Sequence, residues 1–171
     1  TEKSSRKSIY IINDTKYRFW FTFVWNYLTN INRGVGALVY KKFVEDKVNE
    51  YMGHVFEDIC LQYLYTEKGL TALPFLPENI GRWWGNDPKK KREEIDIFGF
   101  AGNQQLFGEC KWTNKLVDID VMEELFGRAE LLGDGEKHFI FFSKSGFTKK
   151  FMQAVSEKSN VKLITFKDMC L

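Results

Sequence analysis

The spacing of apolar residues changes several times along this chain, and each change predicts an element. In "GHVFEDICLQYLYTEKG", Val55, Phe56, Ile59 and Tyr63 fall on one helical stripe. The spacing predicts a helix running to about Glu67 and stopping at Gly69. Upstream, "SIYII" (residues 8–12) reads as a short strand, Asn13-Asp14 offers a turn or helix cap, and "YRFWFTFVWNYL" reads as helix. Gly34 and Gly36 interrupt that pattern before "ALVYKKFVEDKVNEYM" resumes it, so the first fifty residues read as a unit apart. "LPFLPENI", with Pro74 and Pro77, reads as a loop, and strand-like runs follow at "IGRWWG", "EIDIFGFA" and "QLFGECKW". Helical spacing returns in "DVMEELFGRAELL" and "GFTKKFMQAVSEK", which alternate with apolar strands at "KHFIFFS" and "VKLITF". Hairpin-linked strands followed by alternating helix and strand imply an α/β fold, a mixed central β-sheet flanked by helices on both faces.

Composition narrows the class. Of 171 residues, 44% are hydrophobic, with 16 Phe, 7 Tyr and 5 Trp, so the chain can bury a substantial core. No run approaches the roughly 18 uncharged apolar residues that a membrane span needs. The opening "TEKSSRKS" has no initiator Met and no apolar signal core, and reads as part of a longer protein. Cys60, Cys110 and Cys170 are widely spaced and without a C-x-x-C or a nearby His pair, which argues against a disulfide framework and structural zinc and fits a reducing, cytoplasmic home. A net charge of +2 indicates no nucleic-acid binder by itself, so such a reading must rest on local features.

The local feature is "EEIDIFGFAGNQQLFGECKW", residues 93–112. If Gly102-Asn103 is a two-residue hairpin loop, Ala101 pairs with Gln104, and continuing the ladder sets Asp96 opposite Glu109 and Glu94 opposite Lys111. Alternation then gathers Glu94, Asp96, Glu109 and Lys111 on one face, with Ile95, Ile97, Leu106 and Cys110 on the other. Two carboxylates set opposite one another destabilise a sheet unless something positive lies between them. A divalent cation with hard oxygen ligands meets that need and suits phosphodiester hydrolysis, with Lys111 placed to stabilise developing charge or orient a water. A surface hairpin carrying a Glu94–Lys111 cross-strand ion pair would show the same pattern. The [DE]-x-K triplet also occurs at Asp14, Glu45 and Asp87, so context and not the triplet carries the signal. Glu57, on the predicted helix among Gly53, His54, Cys60 and Leu61, is an acid on a mostly apolar surface and calls for a partner.

The helix acid in "GHVFED", the strand acid in "EIDIF" and the "GECKW" motif together resemble the PD-(D/E)xK nuclease superfamily. More narrowly, "RFWFTFV", "GHVFED", "GRWWG", "EIDIFG", "GECKW" and "FFSKSGFT" resemble the C-terminal region, domain of unknown function 234, of archaeal-type P-loop ATPases. This resemblance implies a restriction-endonuclease-like core (α-β-β-β-α-β) over residues 51–171, preceded in residues 1–50 by a short strand-helix extension, the tail of an upstream winged-helix region with linking helices. It implies that Asp96, Glu109 and the Cys110 backbone carbonyl hold Mg²⁺ or Mn²⁺, that Lys111 is the catalytic lysine, and that Glu57 orients water or joins a second metal. Ile95 stands where the superfamily name has Pro. Because the chain has no G-x-x-x-x-G-K-[ST], ATP belongs to an upstream domain. The implied partners are DNA in preference to RNA and the upstream ATPase and winged-helix domains; the alternative is an inactive nuclease-fold module used for interaction.

Lys89, Lys90, Lys91 and Arg92 precede the Asp96 strand, and Lys144, Lys149 and Lys150 lie near the end of the fourth strand; both groups are candidates for contact with a phosphate backbone. Ser145 reads as the cap of the following helix. Trp83 and Trp84 read as one core residue and one covered by a helix, and His54 and His138 as structural.

Overall fold

The computed structural model describes residues 12–86 and 89–170; most of the proposed strand at 8–12 lies outside them. The chain divides into two compact units, Thr1–Tyr51 and Met52–Leu171. In the first, Asp14 caps α1 (Thr15–Phe19) by accepting the N–H groups of Lys16 and Tyr17 at 2.9 and 3.1 Å. Helical backbone continues through Trp20–Val24 and Trp25–Tyr27 into α2 (Leu28–Asn32), and after Gly34, at φ +83°, it resumes at α3 (Gly36–Val39). Inside this unit Phe23 is buried against Phe19 and Tyr51.

α4 (Glu45–Leu64) is a helix of 20 residues. It ends earlier than the Gly69 signal suggests, because Thr66 caps a separate helix, α5 (Glu67–Ala72), by accepting the Gly69 N–H. Gly69 is therefore not a helix stop. It is buried where the chain turns back on itself, and a Cβ there would stand 1.9 Å from the Tyr63 carbonyl oxygen.

The second unit holds one five-stranded sheet in the order β1 (Asn79–Asn86), β2 (Arg92–Ala101), β3 (Gln104–Lys111), β4 (Glu136–Ser143), β5 (Val161–Thr165). β1 to β3 are antiparallel and β3 to β5 parallel, so the sheet is mixed. The parallel connections are α6 (Ile119–Ala129) and α7 (Lys149–Val155), and α8 (Phe166–Cys170) follows β5. α7 is capped by Thr148; the Ser145 hydroxyl donates instead to the Thr113 carbonyl at 2.7 Å, so the cap expected of Ser145 is not made.

Each sheet face buries its own core. On one face Phe107, Phe139 and Phe141 pack against Met122, Leu125 and Ala129 of α6 and Phe151 and Val155 of α7. On the other, Leu106, Cys110, Ile140, Phe142 and Ile164 pack against Phe56, Cys60, Tyr63 and Leu64 of α4, with Phe166 and Met169 of α8 beside them. The alternation within "LFGECK" and "FIFF" thus serves two apolar layers at once, as a sheet covered on both sides requires. Trp83 joins the α6–α7 core, but Trp84 is not covered by a helix: it is 44% exposed, and its indole N–H donates to Glu94.

Two of the helical glycines of this unit, Gly69 and Gly53, separate steric from conformational effects. Gly69→Ala is expected to cost about 3 kcal/mol, since its Cβ would meet fixed backbone. Gly53→Ala, inside α4 with open space around its Cβ, is expected to gain about 0.5–1 kcal/mol. Urea denaturation of both variants checks the pair; equal effects would contradict the packing described at Gly69.

Candidate functional site

The expected hairpin forms: Ala101 pairs with Gln104, and the register continues through Ile97↔Gly108. Positive φ falls on Gly102 alone of the two loop residues, as in a type II′ turn. The ladder stops at that last pair, short of Asp96 and Glu109. The cause lies on the other side of β2, where Gly81 pairs with Phe98 but Trp83 with Ile95, so that Arg82 faces both Asp96 and Ile97. This is a β-bulge, and an extra residue reverses the facing of everything beyond it.

The burial pattern records that reversal. Ile97 lies in the α4 core and Ile95 in the α6–α7 core, although both are fully buried. The expected face containing Glu94, Asp96, Glu109 and Lys111 is therefore not formed. Glu94 pairs with Trp84 and comes close enough to Glu57 of α4 to raise its pKa, so the Glu94–Lys111 pairing is replaced as well. Glu93 turns instead to Arg128 of α6, at 3.4 Å.

Asp96, in the bulge, turns its carboxylate toward β3. Its Oδ2 accepts the Cys110 N–H at 2.8 Å, supplying the acceptor that a continuing ladder would have taken from the backbone. Within a strand a residue's N–H and C=O point to the same side, so the Cys110 carbonyl also points toward β2. Glu109, 4% exposed, receives Lys111 Nζ on Oε1 at 2.6 Å and Arg128 Nη1 on Oε2 at 3.0 Å. Glu57 Oε2 pairs with Arg82 at 3.0 Å and its Oε1 with His54 at 3.4 Å; Arg82 also holds Asp58 at 2.9 Å. Glu57, Asp96, Glu109 and Lys111 are thus brought together at the C-terminal end of β3, each close enough to Asp96 to act on its charge.

Burial pushes the Asp96 carboxyl up to about 7, with the charge of Glu109 next in importance and that of Glu57 adding to it; the Cys110 N–H and Lys111 work the other way. Burial also raises Glu57, against the attraction of Arg82 and His54. Burial alone would lower Lys111, but Glu109 and Asp96 outweigh it and hold the ammonium above its ordinary value. The site is therefore short of positive charge around Asp96 and keeps Lys111 firmly cationic.

The basic residues divide. Lys144 sits by the site, donating its backbone N–H to the Lys111 carbonyl at 3.0 Å and laying its ammonium 4.5 Å over the Trp112 ring. Lys91 pairs with Glu93 at 2.9 Å and lines an open cavity of about 400 Å³ with Glu93, Glu124, Gly127, Arg128 and Leu131. Lys89, Lys90, Arg92, Lys149 and Lys150 stand exposed. His54 flanks Glu57, and His138 is half-buried at the distant start of β4. Sequence reasoning missed Arg82 and Arg128. The signal for both was the need of buried acids for cations, but nothing local names which arginine answers it.

Among the described residues, no group of three or more His, Cys, Asp or Glu side chains is arranged to hold a metal unaided, and no helix is long and apolar enough to cross a membrane. The fold is a mixed five-stranded α/β sandwich whose sheet splits around a half-buried carboxylate–lysine cluster. The chain belongs to the domain of unknown function 234 family, described as archaea bacterial proteins of unknown function, whose profile matches residues 20–123. It is 31% identical over 147 residues to an uncharacterized protein, MJECL04, of Methanocaldococcus jannaschii, a match covering 82% of this chain. The chain spans about a third (31%) of that curated relative's length. A crystal structure of a protein of unknown function, AF1548, matches 64% of this chain and 59% of its own with a TM-score of 0.39 and 17% identity.

The raised Asp96 carboxyl fixes a pH dependence. Folded Asp96 keeps a proton that the unfolded chain releases near pH 4, so stability falls as pH rises from about 4 to about 7 and levels off above. The full effect is about 4 kcal/mol. Asp96→Asn retains an acceptor for the Cys110 N–H and is expected to remove this slope, matching the parent at pH 4 and exceeding its stability at pH 8. Chemical denaturation across that range tests it, and parallel curves for the two proteins would contradict the buried placement of Asp96.

Proposed function

We propose that residues 51–171 form a restriction-endonuclease-like domain of the PD-(D/E)xK type, which hydrolyses phosphodiester bonds in DNA with Mg²⁺ or Mn²⁺. The observation that carries this reading is the cluster at the split between β2 and β3. A carboxyl pushed up to about 7 lies beside a second buried carboxylate, and a lysine is hydrogen-bonded to that second acid. Like charges withdrawn from water side by side are characteristic of sites that bind a cation or tune a proton.

The donor set fits a hard divalent cation. Asp96, Glu109, which lies close enough to act on its charge, and the Cys110 carbonyl are all hard oxygen donors, and Mg²⁺ takes one or two carboxylates with water in its other positions. Bound there, the cation would polarise the phosphodiester and lower the pKa of a water. The chain's own groups supply the rest. The Cys110 N–H fixes the Asp96 carboxylate, and Glu109 positions the Lys111 ammonium. Since Lys111 is held protonated, it acts as a fixed positive charge for a developing phosphoryl charge and not as a base. Glu57, across the split, serves to orient a water, while Lys144 and Lys91 are within reach of flanking phosphates.

The match to a protein about three times longer supports a setting within a larger polypeptide, for which an upstream P-loop ATPase and winged helix are proposed as partners and residues 1–50 as the connecting region. The three free thiols suit a reducing, cytoplasmic location.

A second reading has its own observation: both oxygens of Glu109 are already neutralised, by Lys111 and Arg128, as a non-catalytic interaction module would require. Incubation of the protein with labelled DNA and Mg²⁺ or Mn²⁺ separates the two. Cleavage is expected to need metal and to fall at least about a hundredfold in Lys111→Ala, with circular dichroism showing that the variant is folded. Undiminished cleavage by Lys111→Ala would reject the role of Lys111. Failure of millimolar metal either to support cleavage or to raise the melting temperature would favour the module.

A further inference from the structure

We infer that Arg128 is the resident counterion of this site, holding Glu109 when no divalent cation is bound and withdrawing to Glu93 and Glu124 when one binds. The inference rests on the carboxylate site proposed above and concerns its regulation.

Glu109 is nearly inaccessible, and its two oxygens are engaged by two different cations: Oε1 by Lys111 at 2.6 Å, Oε2 by Arg128 at 3.0 Å. A divalent ion reaching this carboxylate would meet two positive charges beside it, so one of them must give way. Lys111 is poorly placed to do so, being on the same strand two residues away, where the backbone of β3 fixes its root beside Glu109. Arg128 is differently tethered. It arises from α6, and its guanidinium already touches two further acids on its outer side, Glu93 at 3.4 Å and Glu124 at 3.5 Å.

Those acids make withdrawal inexpensive. Moving a guanidinium from one carboxylate to two others keeps it paired, whereas expelling it into an apolar layer would leave a bare charge. Space exists for the move, because the open cavity of about 400 Å³ is lined by Arg128 with Lys91, Glu93, Glu124, Gly127 and Leu131. A Cβ added at Gly127 would meet no atom within 4 Å, so the surface next to Arg128 is not packed. Glu109 is therefore charge-balanced without metal, and the site carries a built-in competitor for it. Metal affinity is set by how firmly Arg128 is held, and the outer acids Glu93 and Glu124 tune that hold.

The test uses the purified protein with Mn²⁺ or Mg²⁺ alone, read by isothermal calorimetry and thermal shift. Arg128→Gln leaves Glu109 unbalanced, so the metal-free variant is expected to melt below the parent, to bind Mn²⁺ about tenfold more tightly, and to gain more in melting temperature from it. The double variant Glu93→Gln with Glu124→Gln changes only the outer acids and guards against a folding defect in Arg128→Gln. It holds Arg128 more firmly on Glu109 and is expected to bind Mn²⁺ more weakly than the parent. Unchanged or weaker binding by Arg128→Gln, or unchanged or tighter binding by the double variant, overturns the exchange while leaving the metal site intact. Absence of Mn²⁺ binding in every form, Glu109→Gln included, overturns the carboxylate site itself and this inference with it.

Discussion

The constraint on which this structure turns is the burial of acids in the seam between two apolar layers. A carboxylate taken out of water needs a cation or a proton, and here the three central acids find different answers. Glu109 takes Lys111 and Arg128, Glu57 takes Arg82 and His54, and Asp96 takes the Cys110 N–H and retains much of its proton near neutrality. Because both arginines come from outside β2 and β3, one from β1 and one from α6, the site holds together only when the whole sheet and its flanking helices are assembled.

The bulge in β2 makes this arrangement possible. Without it, Asp96 would have lain in a regular ladder opposite Glu109, two like charges side by side on the face covered by α6. With it, the sheet opens between β2 and β3, and Asp96 sits where both Glu109 on one face and Glu57 on the other act on it. The local disruption costs ladder hydrogen bonds, one of which the Asp96 side chain replaces. It also separates Ile95 from Ile97, sending each into a different core, so the strand contributes to both layers on either side of the irregularity.

Much of the architecture was legible along the chain. The strands, the connecting helices, the hairpin at Gly102 and the mixed sheet all follow from apolar spacing and turn residues, since these depend on neighbours a few positions away. The elements misread are those where local signals conflict with packing. Gly69 has the chemistry of a helix end but is needed because the backbone of Tyr63 leaves no room for a Cβ. Ser145 could cap a helix, yet Thr148 lies one residue before it and Ser145 is taken by Thr113. Trp84 could have been covered, but it stays 44% exposed.

The chain by itself therefore determined which residue types carry the chemistry and, through periodicity, which strands and helices bear Glu57, Asp96, Glu109 and Lys111. Tertiary structure decided how they face one another. The facing of a strand residue flips with a single inserted position, and the bulge that inserts it appears only when β1 pairs with β2. The choice of Arg82 and Arg128 as partners likewise depends on contacts between elements distant in sequence, where charge must be balanced in three dimensions and local spacing carries no record of the balance.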